Sequence, residues 1–537
     1  MLLFDCSTLV QQLHDSVVTT VSLKRRIDMH NKPNLLLIQT DQQSAETLSL
    51  YGNPALKTPA LESLAERGVV FDYAFCNYPA CAPSRSSMFT GRYASTIGIH
   101  ANHMMINPTE VTLPQVLKEH GYQTAIIGKN HAFMENTKTY YPGEAADSER
   151  ASVLRQVFDY VRLADHGHMV DGYRDDPEAK AAHEWSHTCW VSPLGHGTNP
   201  ARPEKCGTHL LGDTMVDYLE HRRDPEKPFF AWLSFPDPHT PYQAPEPYAS
   251  MIDPADVPLP PKDKLEEKPE RQRVAYLMDA MGTADDELIR RVRAIHYGMI
   301  RFIDDTLARV FTKLEELGLT GNTVIVFTSD HGDSMGAHGL IQKHNLFYDS
   351  FTRVPFIVAA PGYQGPGRTD HLVELVDLMP TLLDLAGIAV PPGVQGRSLA
   401  PYLEGKDYTP REYVVMESGE DGEPLRVSDI TVRPEHPFDD RYFVWCAYRE
   451  AWIGKGKSIR TLEWKLNIYA NGEGELYDLA ADPDELHNRF NDPALAGIRS
   501  ELERKLLHWS MAKEDPLPLN TTVKLNYAEV KAKQETL

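Results

Sequence analysis

Asn34-Leu35-Leu36-Leu37-Ile38-Gln39-Thr40-Asp41-Gln42 is the stretch on which the architecture turns. Its apolar run does not alternate with polar residues, so it reads as a parallel strand buried on both faces; a strand with one wet face would alternate. Similar runs stand at Thr124–Gly128 (TAIIG), Phe229–Phe235 (FFAWLSF), Thr323–Ser329 (TVIVFTS) and Pro355–Ala359 (PFIVA). Helical patterns lie between them. Thr58–Arg67 opens on Thr-Pro and stops at Gly68, and Leu113–His120 precedes Gly121. Asp285–Leu317 carries Leu288, Val292, Ile295 and Met299 on one stripe. Strands alternating with helices predict an α/β fold, a large and mostly parallel sheet flanked by helices.

Outward from that core the pattern changes. Residues 1–33 form an N-terminal arm, read as a helix with Leu9, Leu13 and Val17 on one side and docked on the surface or on another subunit. The catalytic α/β domain is expected over 34–405, with insertions over one edge at 136–225 and 243–284. Leu403–Pro410 reads as a linker. Beyond it, Tyr442–Ala447, Trp464–Tyr469 and Glu475–Leu479 are strand-like and a helix follows near Ile498–Trp509, which predicts a smaller α+β subdomain over 406–537 containing an antiparallel sheet.

The chain has 537 residues and a net charge of −22. That charge argues against nucleic acid as a partner, which needs a basic footprint, and makes a long polyanion an awkward one. A small anionic ester is easier to accept. No apolar run reaches the roughly 20 residues that span a bilayer, so no membrane association is expected. The N-terminus lacks a basic region, and Asp5, His14 and Asp15 interrupt its apolar character, so it does not read as a secretory signal. Six cysteines, at 6, 76, 81, 189, 206 and 446, are too few and too scattered for a disulfide scaffold. A cytoplasmic location is expected, or a periplasmic one if an export signal precedes this start.

The sharpest local feature is Cys81-Ala82-Pro83-Ser84-Arg85, followed by Ser86-Ser87-Met88-Phe89-Thr90-Gly91-Arg92. Pro83 favours the first turn of a helix, which puts Cys81 beside free N–H groups and the positive end of the helix dipole. Arg85, one turn on, adds a fixed charge. Physics alone allows two readings, an electropositive nucleophile or a buried cysteine beside a helix start. Acids and bases then follow the strands: Asp41 and Gln42 after the first, Asp330 and His331 after TVIVFTS, in Ser329-Asp330-His331-Gly332-Asp333. Ligands of open α/β sheets bind beyond the carboxyl ends of the strands. Oxygen donors with one imidazole suit Ca²⁺, Mg²⁺ or Mn²⁺ better than Zn²⁺, although a strand-end aspartate alone is more often a cap or turn residue.

Cys-x-Pro-Ser-Arg with Thr-Gly-Arg shortly after resembles the modification motif of type I sulfatases, within the alkaline phosphatase superfamily. The resemblance extends from Asn34 to about Asn488, through Gly128-Lys129-Asn130-His131, His239, Lys343, Tyr297 with Asp304, Gln395–Leu399 and Glu475–Leu479. It implies a sulfatase cleaving sulfate monoesters of aryl or other small organic alcohols. Cys81 would be oxidised to formylglycine (3-oxoalanine) by a formylglycine-generating enzyme. Asp41, Gln42, Asp330, His331 and residue 81 would hold one divalent cation, Ca²⁺ first, with Mn²⁺ or Mg²⁺ behind it. Gln42 is neutral where many sulfatases carry a second aspartate, and Asn130 stands where relatives often have Trp. The catalytic set implied is Cys81, Arg85, Lys129, His131, His239 and Lys343. In the implied mechanism Lys129 neutralises sulfate, His239 or Lys343 protonates the leaving group, and His131 takes the proton that releases sulfate.

Two rivals stand beside this reading. Phosphonate monoester or phosphodiester hydrolases of the same superfamily share much of the motif, but tend to replace the lysine and histidine of Gly-Lys-x-His, which this chain keeps. A silent anion-binding relative would have lost one of Cys81, Arg85, Lys129 or His239. His100, Asn102 and His103 are expected at the pocket or the surface, and His338 and His344 beside Lys343. Arg290, Arg291 and Arg293 are expected on the solvent face of the long helix. Cys76 is read as structural, and Trp445 and Trp464 as core residues. A homo-oligomer is expected from the arm.

Overall fold

The computed structural model describes residues 32–133, 154–165, 169–189, 194–279, 281–365, 367–420, 422–431 and 454–514. The arm with its Leu9–Val17 stripe, Cys6, the strand expected at Tyr442–Ala447, Trp445 and Cys446 lie outside the described residues. Fifteen strands are described: β1 Asn34–Thr40, β2 Val69–Phe75, β3 Gln123–Gly128, β4 Tyr160–Leu163, β5 His196–Asn199, β6 Phe229–Ser234, β7 Tyr242–Pro245 and β8 Thr323–Ser329; then β9 Arg353–Val354, β10 Phe356–Ala359, β11 Arg368–Glu374, β12 Val414–Ser418, β13 Gly456–Arg460, β14 Trp464–Tyr469 and β15 Gly474–Asp478.

The main sheet runs β11-β2-β10-β8-β1-β6-β3-β4, with β9 paired to β2. β1 lies parallel between β6 and β8, so the chain leaves it in both directions and a crevice opens at its carboxyl end. Alternate residues of β1 feed two cores. Leu35 and Leu37 pack with Met88, Phe89 and Trp232 on one face. Leu36 and Ile38 pack with Leu233, Ile300, Ile303 and Leu307 on the other. Each fully buried aliphatic of this kind contributes about 1.5–3 kcal/mol, so a charge in β1 would cost the sheet its centre. The helix Asp286–Glu316 covers the second face, its start capped by Asp285, whose carboxylate accepts from the Leu288 N–H.

The expected helices appear as Pro59–Glu66, Leu113–Glu119 and Asp286–Glu316. Four strands of the main sheet go beyond the sequence reading: β2, β4, β9 and β11. PFIVA does form β10, but antiparallel to both β8 and β2. Arg293 corrects the reading of the arginine run. It is buried, donating to the Met335 carbonyl at 2.6 Å and to the Tyr297 hydroxyl at 2.9 Å, while Arg291 stays exposed. Cys76 is buried, as a structural cysteine would be, and burial pushes its thiol well up. Trp464 packs half-buried in the core of the second sheet.

That second sheet, β12-β13-β14-β15, is antiparallel throughout. One face is covered by the helix Ala496–Lys513 through Leu502, Leu506 and Trp509. Its other side sends Val414, Met416 and Tyr469 against Phe75, Phe347 and Leu372. Phe347 follows Lys343 closely, so the small sheet backs the loop that carries this lysine. Among the described residues no helix is long and apolar enough to cross a membrane.

Candidate active site

Parallel pairing of β1 with β8 continues to Thr40 opposite Ser329. The next residue of each strand, Asp41 and Asp330, therefore arrives at the same level of the sheet edge. The helix Cys81–Thr90 begins in front of them. Ala80 precedes it in extended backbone without a side-chain cap, and Asn102 supplies the missing acceptor, its Oδ1 taking the Ala82 N–H at 3.1 Å. Ligand atoms of Asp41, Cys81, Asp330 and His331 lie within 4.8 Å of one another, all buried. Cys81 Sγ is 3.2 Å from His331 Nε2 and 3.8 Å from Asp41 Oδ1.

Arg85 underpins both carboxylates. Its guanidinium meets Asp41 Oδ2 at 2.7 Å and Asp330 Oδ2 at 2.8 Å, and donates to Ser234 Oγ at 2.8 Å. Planar, always charged and rich in donors, it is suited to such a buried fork. The Oδ1 atoms remain on the side of Cys81 and His331. Lys129 reaches Asp41 Oδ2 at 2.5 Å and Cys81 Sγ at 3.8 Å. It is placed by Gly128, whose φ of 110° and contact with Ser234 leave no room for a side chain: a Cβ there would fall 1.9 Å from the Ser234 carbonyl oxygen.

His239 and Lys343 meet on the other side. His239 Nδ1 lies 2.6 Å from the Thr240 carbonyl, an acceptor, so this nitrogen carries the proton. Nε2 then accepts from the Lys343 ammonium at 2.8 Å. Lys343 also donates to Gln42 Oε1 at 3.0 Å. His131 Nε2 donates to the Asn102 carbonyl at 3.0 Å, which directs its proton away from Nδ1.

Charge explains the protonation states. Burial would raise the Asp41 carboxyl, but Lys129 and Arg85, with His239 and Lys343, hold it well below the usual range. Burial and Asp41 raise Asp330, outweighing His331 and Arg85. Burial and Asp41 oppose ionisation of Cys81, yet Lys129, Lys343 and His331 bring its thiol well below the ordinary value. His331 is raised: burial works against its charge, and Asp330 and Cys81 overcome it. Burial and Lys343 push His239 well below the ordinary imidazole value, so it is neutral near pH 7. The Asp330–His331 corner is thus the under-neutralised one, and two inward carboxylate oxygens with an imidazole are donors that fit a hard divalent cation. His331 Nδ1 lies 2.9 Å from the Gly332 carbonyl, the outer contact that turns Nε2 inward.

His338 and His344 pair with acids away from this centre, with Asp263 Oδ2 at 2.9 Å and Asp279 Oδ2 at 2.7 Å. The Tyr78 hydroxyl donates to the His100 carbonyl. Three contacts were beyond sequence reasoning: the Asn102 cap, Ser234 under Arg85, and a carboxylate at Asp333 that accepts from Gln42 and Tyr242. Asn102 stood among the residues expected at the pocket or the surface, and Asp333 closes the Ser-Asp-His-Gly-Asp run; Ser234 carried no signal.

Positive charge gathered around a buried helix-start residue, beside paired carboxylates, is the chemistry of an enzyme that cleaves esters of small tetrahedral oxyanions. The sulfatase family profile matches residues 33–388, and the chain belongs to that family, the sulfuric ester hydrolases. It is 30% identical over 488 residues to an arylsulfatase of Clostridium perfringens, covering 86% of this chain and 90% of that one. A choline-sulfatase of Rhizobium meliloti is 27% identical over 504 residues, with 90% and 88% covered. The crystal structure of the phosphonate monoester hydrolase of Agrobacterium radiobacter superposes with a TM-score of 0.71 at 25% identity, covering 90% of this chain and 96% of that one. The family implies a metal ion and a formylglycine, and the Asp41–Cys81–Asp330–His331 cluster is a place where an ion fits.

Proposed function

We propose that the chain hydrolyses sulfate monoesters of small aryl or alkyl alcohols, with Cys81 carried as formylglycine and one Ca²⁺ held by Asp41, Asp330, His331 and residue 81, with Gln42 beside them. The observation that carries this reading is Lys129, whose ammonium lies between Asp41 and Cys81 Sγ. The sulfur atom stands in for a hydroxyl of the hydrated aldehyde. When bound, the cation supplies positive charge to sulfate oxygens and to the attacking hydroxyl. As formylglycine, residue 81 would supply a hydrated aldehyde with two hydroxyls, one nucleophilic towards sulfur and one to be deprotonated for release of sulfate.

The chain's own residues do the rest. Lys129 and Arg85 keep Asp41 ionised, and Lys129 faces the sulfate with preorganised charge. Lys343 holds a proton against the lone pair of His239 Nε2, and this pair passes it to the departing alkoxide or phenoxide. His131, with Nε2–H tied to Asn102, has Nδ1 as its basic atom and takes the second hydroxyl's proton. A catalytic unit over 34–405 and a smaller unit over 406–537 belong to the same proposal, supported by the separate antiparallel sheet.

A second reading, phosphonate monoester hydrolysis, is favoured by the likeness to the Agrobacterium enzyme. Against it stand Lys129 and His131. Rates on 4-nitrophenyl sulfate and phenyl phosphonate separate the two; a large preference for the phosphonate would overturn the sulfate reading.

A further inference from the structure

Asp333 is buried and takes no part in the chemistry above. Three donors converge on it: Gln42 Nε2 at 2.7 Å and the Tyr242 hydroxyl at 2.8 Å on Oδ2, and the Met335 N–H at 2.9 Å on Oδ1. Ionised, Asp333 can only accept; the Met335 N–H, a fixed donor, and the Tyr242 hydroxyl meet it whichever way the Gln42 amide lies. At the far end of the Gln42 side chain stands Lys343, an ammonium that can only donate, 3.0 Å from Oε1. An amide can lie either way round, and its neighbours decide which. Here a pure acceptor faces one end and a pure donor the other, so only one orientation satisfies both. The oxygen must face Lys343 and the NH₂ group must face Asp333.

We propose that Asp333 is a positioning residue that sets the polarity of the Gln42 amide, and through it holds Lys343 against His239 on the leaving-group side. The role rests on the sulfatase reading only for what Lys343 does afterwards. Asp333 touches no reacting atom. It acts by refusing to donate: a residue offering N–H at this place forces the amide round, and Gln42 then presents its NH₂ group to the Lys343 ammonium. The link explains why a neutral glutamine works where a carboxylate would meet Asp333 head-on.

The test is a double-mutant cycle. Asp333→Asn keeps the shape, satisfies Met335 with its oxygen and turns its NH₂ group on Gln42. It is expected to lower kcat/KM by about 10–100-fold, the usual loss when a supporting contact is removed. Gln42→Glu alone sets two carboxylates together and also loses activity. With both substitutions, the carboxylate introduced at position 42 accepts from the amide introduced at position 333 through one oxygen and from Lys343 through the other. The double variant therefore recovers at least about tenfold over Asp333→Asn. Additive losses, or an Asp333→Asn variant within about twofold of wild type, would overturn the proposal. The cycle is run on whichever of 4-nitrophenyl sulfate and phenyl phosphonate the wild type cleaves. A phosphonate-only wild type thus sinks the sulfate reading while the cycle stays readable. The thermal midpoints of the same four proteins need no turnover. Recovery in the double variant supports the amide link there too, and additive destabilisation counts against it.

Discussion

Replacing Arg85 with methionine tests whether the two carboxylates depend on one guanidinium. Methionine keeps much of the side-chain volume beside Trp232, whose ring lies 5.7 Å from the guanidinium carbon, but offers no donor. Asp41 would retain Lys129 at 2.5 Å. Asp330 would retain the backbone N–H groups of Gln42 and His331, at 3.1 and 2.9 Å, but both bind Oδ1. Its Oδ2 would lose the 2.8 Å partner in a fully buried setting, and Ser234 Oγ would lose its own. Breaking a buried pair by deleting one member costs about 3–5 kcal/mol. At roughly 2 °C per kcal/mol in a large domain, the unfolding midpoint should fall on the order of 5–10 °C. The midpoint is the proper readout, since a chain with two sheets need not unfold in one step. The assay is a calorimetric scan of Arg85→Met in chelator, then with added Ca²⁺, which should restore part of the loss by placing positive charge between the same carboxylates. A midpoint within about 2 °C of wild type in chelator would refute the dependence on Arg85.

Further outcomes follow from the same structure. A peptide spanning Gly68–Arg85 from active protein should show residue 81 as the aldehyde by mass spectrometry; unmodified cysteine in protein active on sulfate esters would exclude the formylglycine mechanism. Chelation should abolish turnover, and Ca²⁺ at about 100 times its dissociation constant should stabilise the fold by about 2.7 kcal/mol, seen as a concentration-dependent midpoint; an unchanged midpoint would speak against a cation at Asp41 and Asp330. His296 is buried behind the site, where burial and then Arg293 depress it to about 3. A depressed folded value means that neutral His296 contributes its full stability above about 6.5 and loses it as pH falls towards 3. That loss is on the order of 5 kcal/mol, and His296→Phe should flatten the acid limb of the stability–pH curve; an unchanged limb would show that other groups carry it.

What was legible in the sequence follows from what each signal reports. NLLLIQT and TVIVFTS are apolar throughout because both faces of β1 and β8 are covered, and each ends on the acid that enters the site. β2 and β11 were hidden because they lie towards the sheet's margin, where Asp72, Asp370 and His371 break the apolar run and half of β11 is open to solvent. Apolarity reports burial and not direction, so PFIVA gave no sign of running antiparallel. Arg293 was misplaced because a charge pattern on a helix cannot show a carbonyl waiting at Met335. At the site, groups with conspicuous chemistry stood in short motifs. Tyr242 and Asn102 had no such signature, and Asp333 only its place at the end of one, since their roles arise from which loops the fold brings face to face.

The β1–β8 register also determines how the molecule can vary. Keeping side chains on their proper faces, a slip of one strand past the other must be two residues, about 6.6 Å. That exceeds the 4.8 Å across the four-residue cluster, so no intermediate alignment preserves even a weakened site. The charged centre is therefore digital, present or lost, while the loops around its mouth can lengthen or change partners by small steps. A lineage built on such a frame can trade one alcohol for another without renegotiating the anion it cleaves.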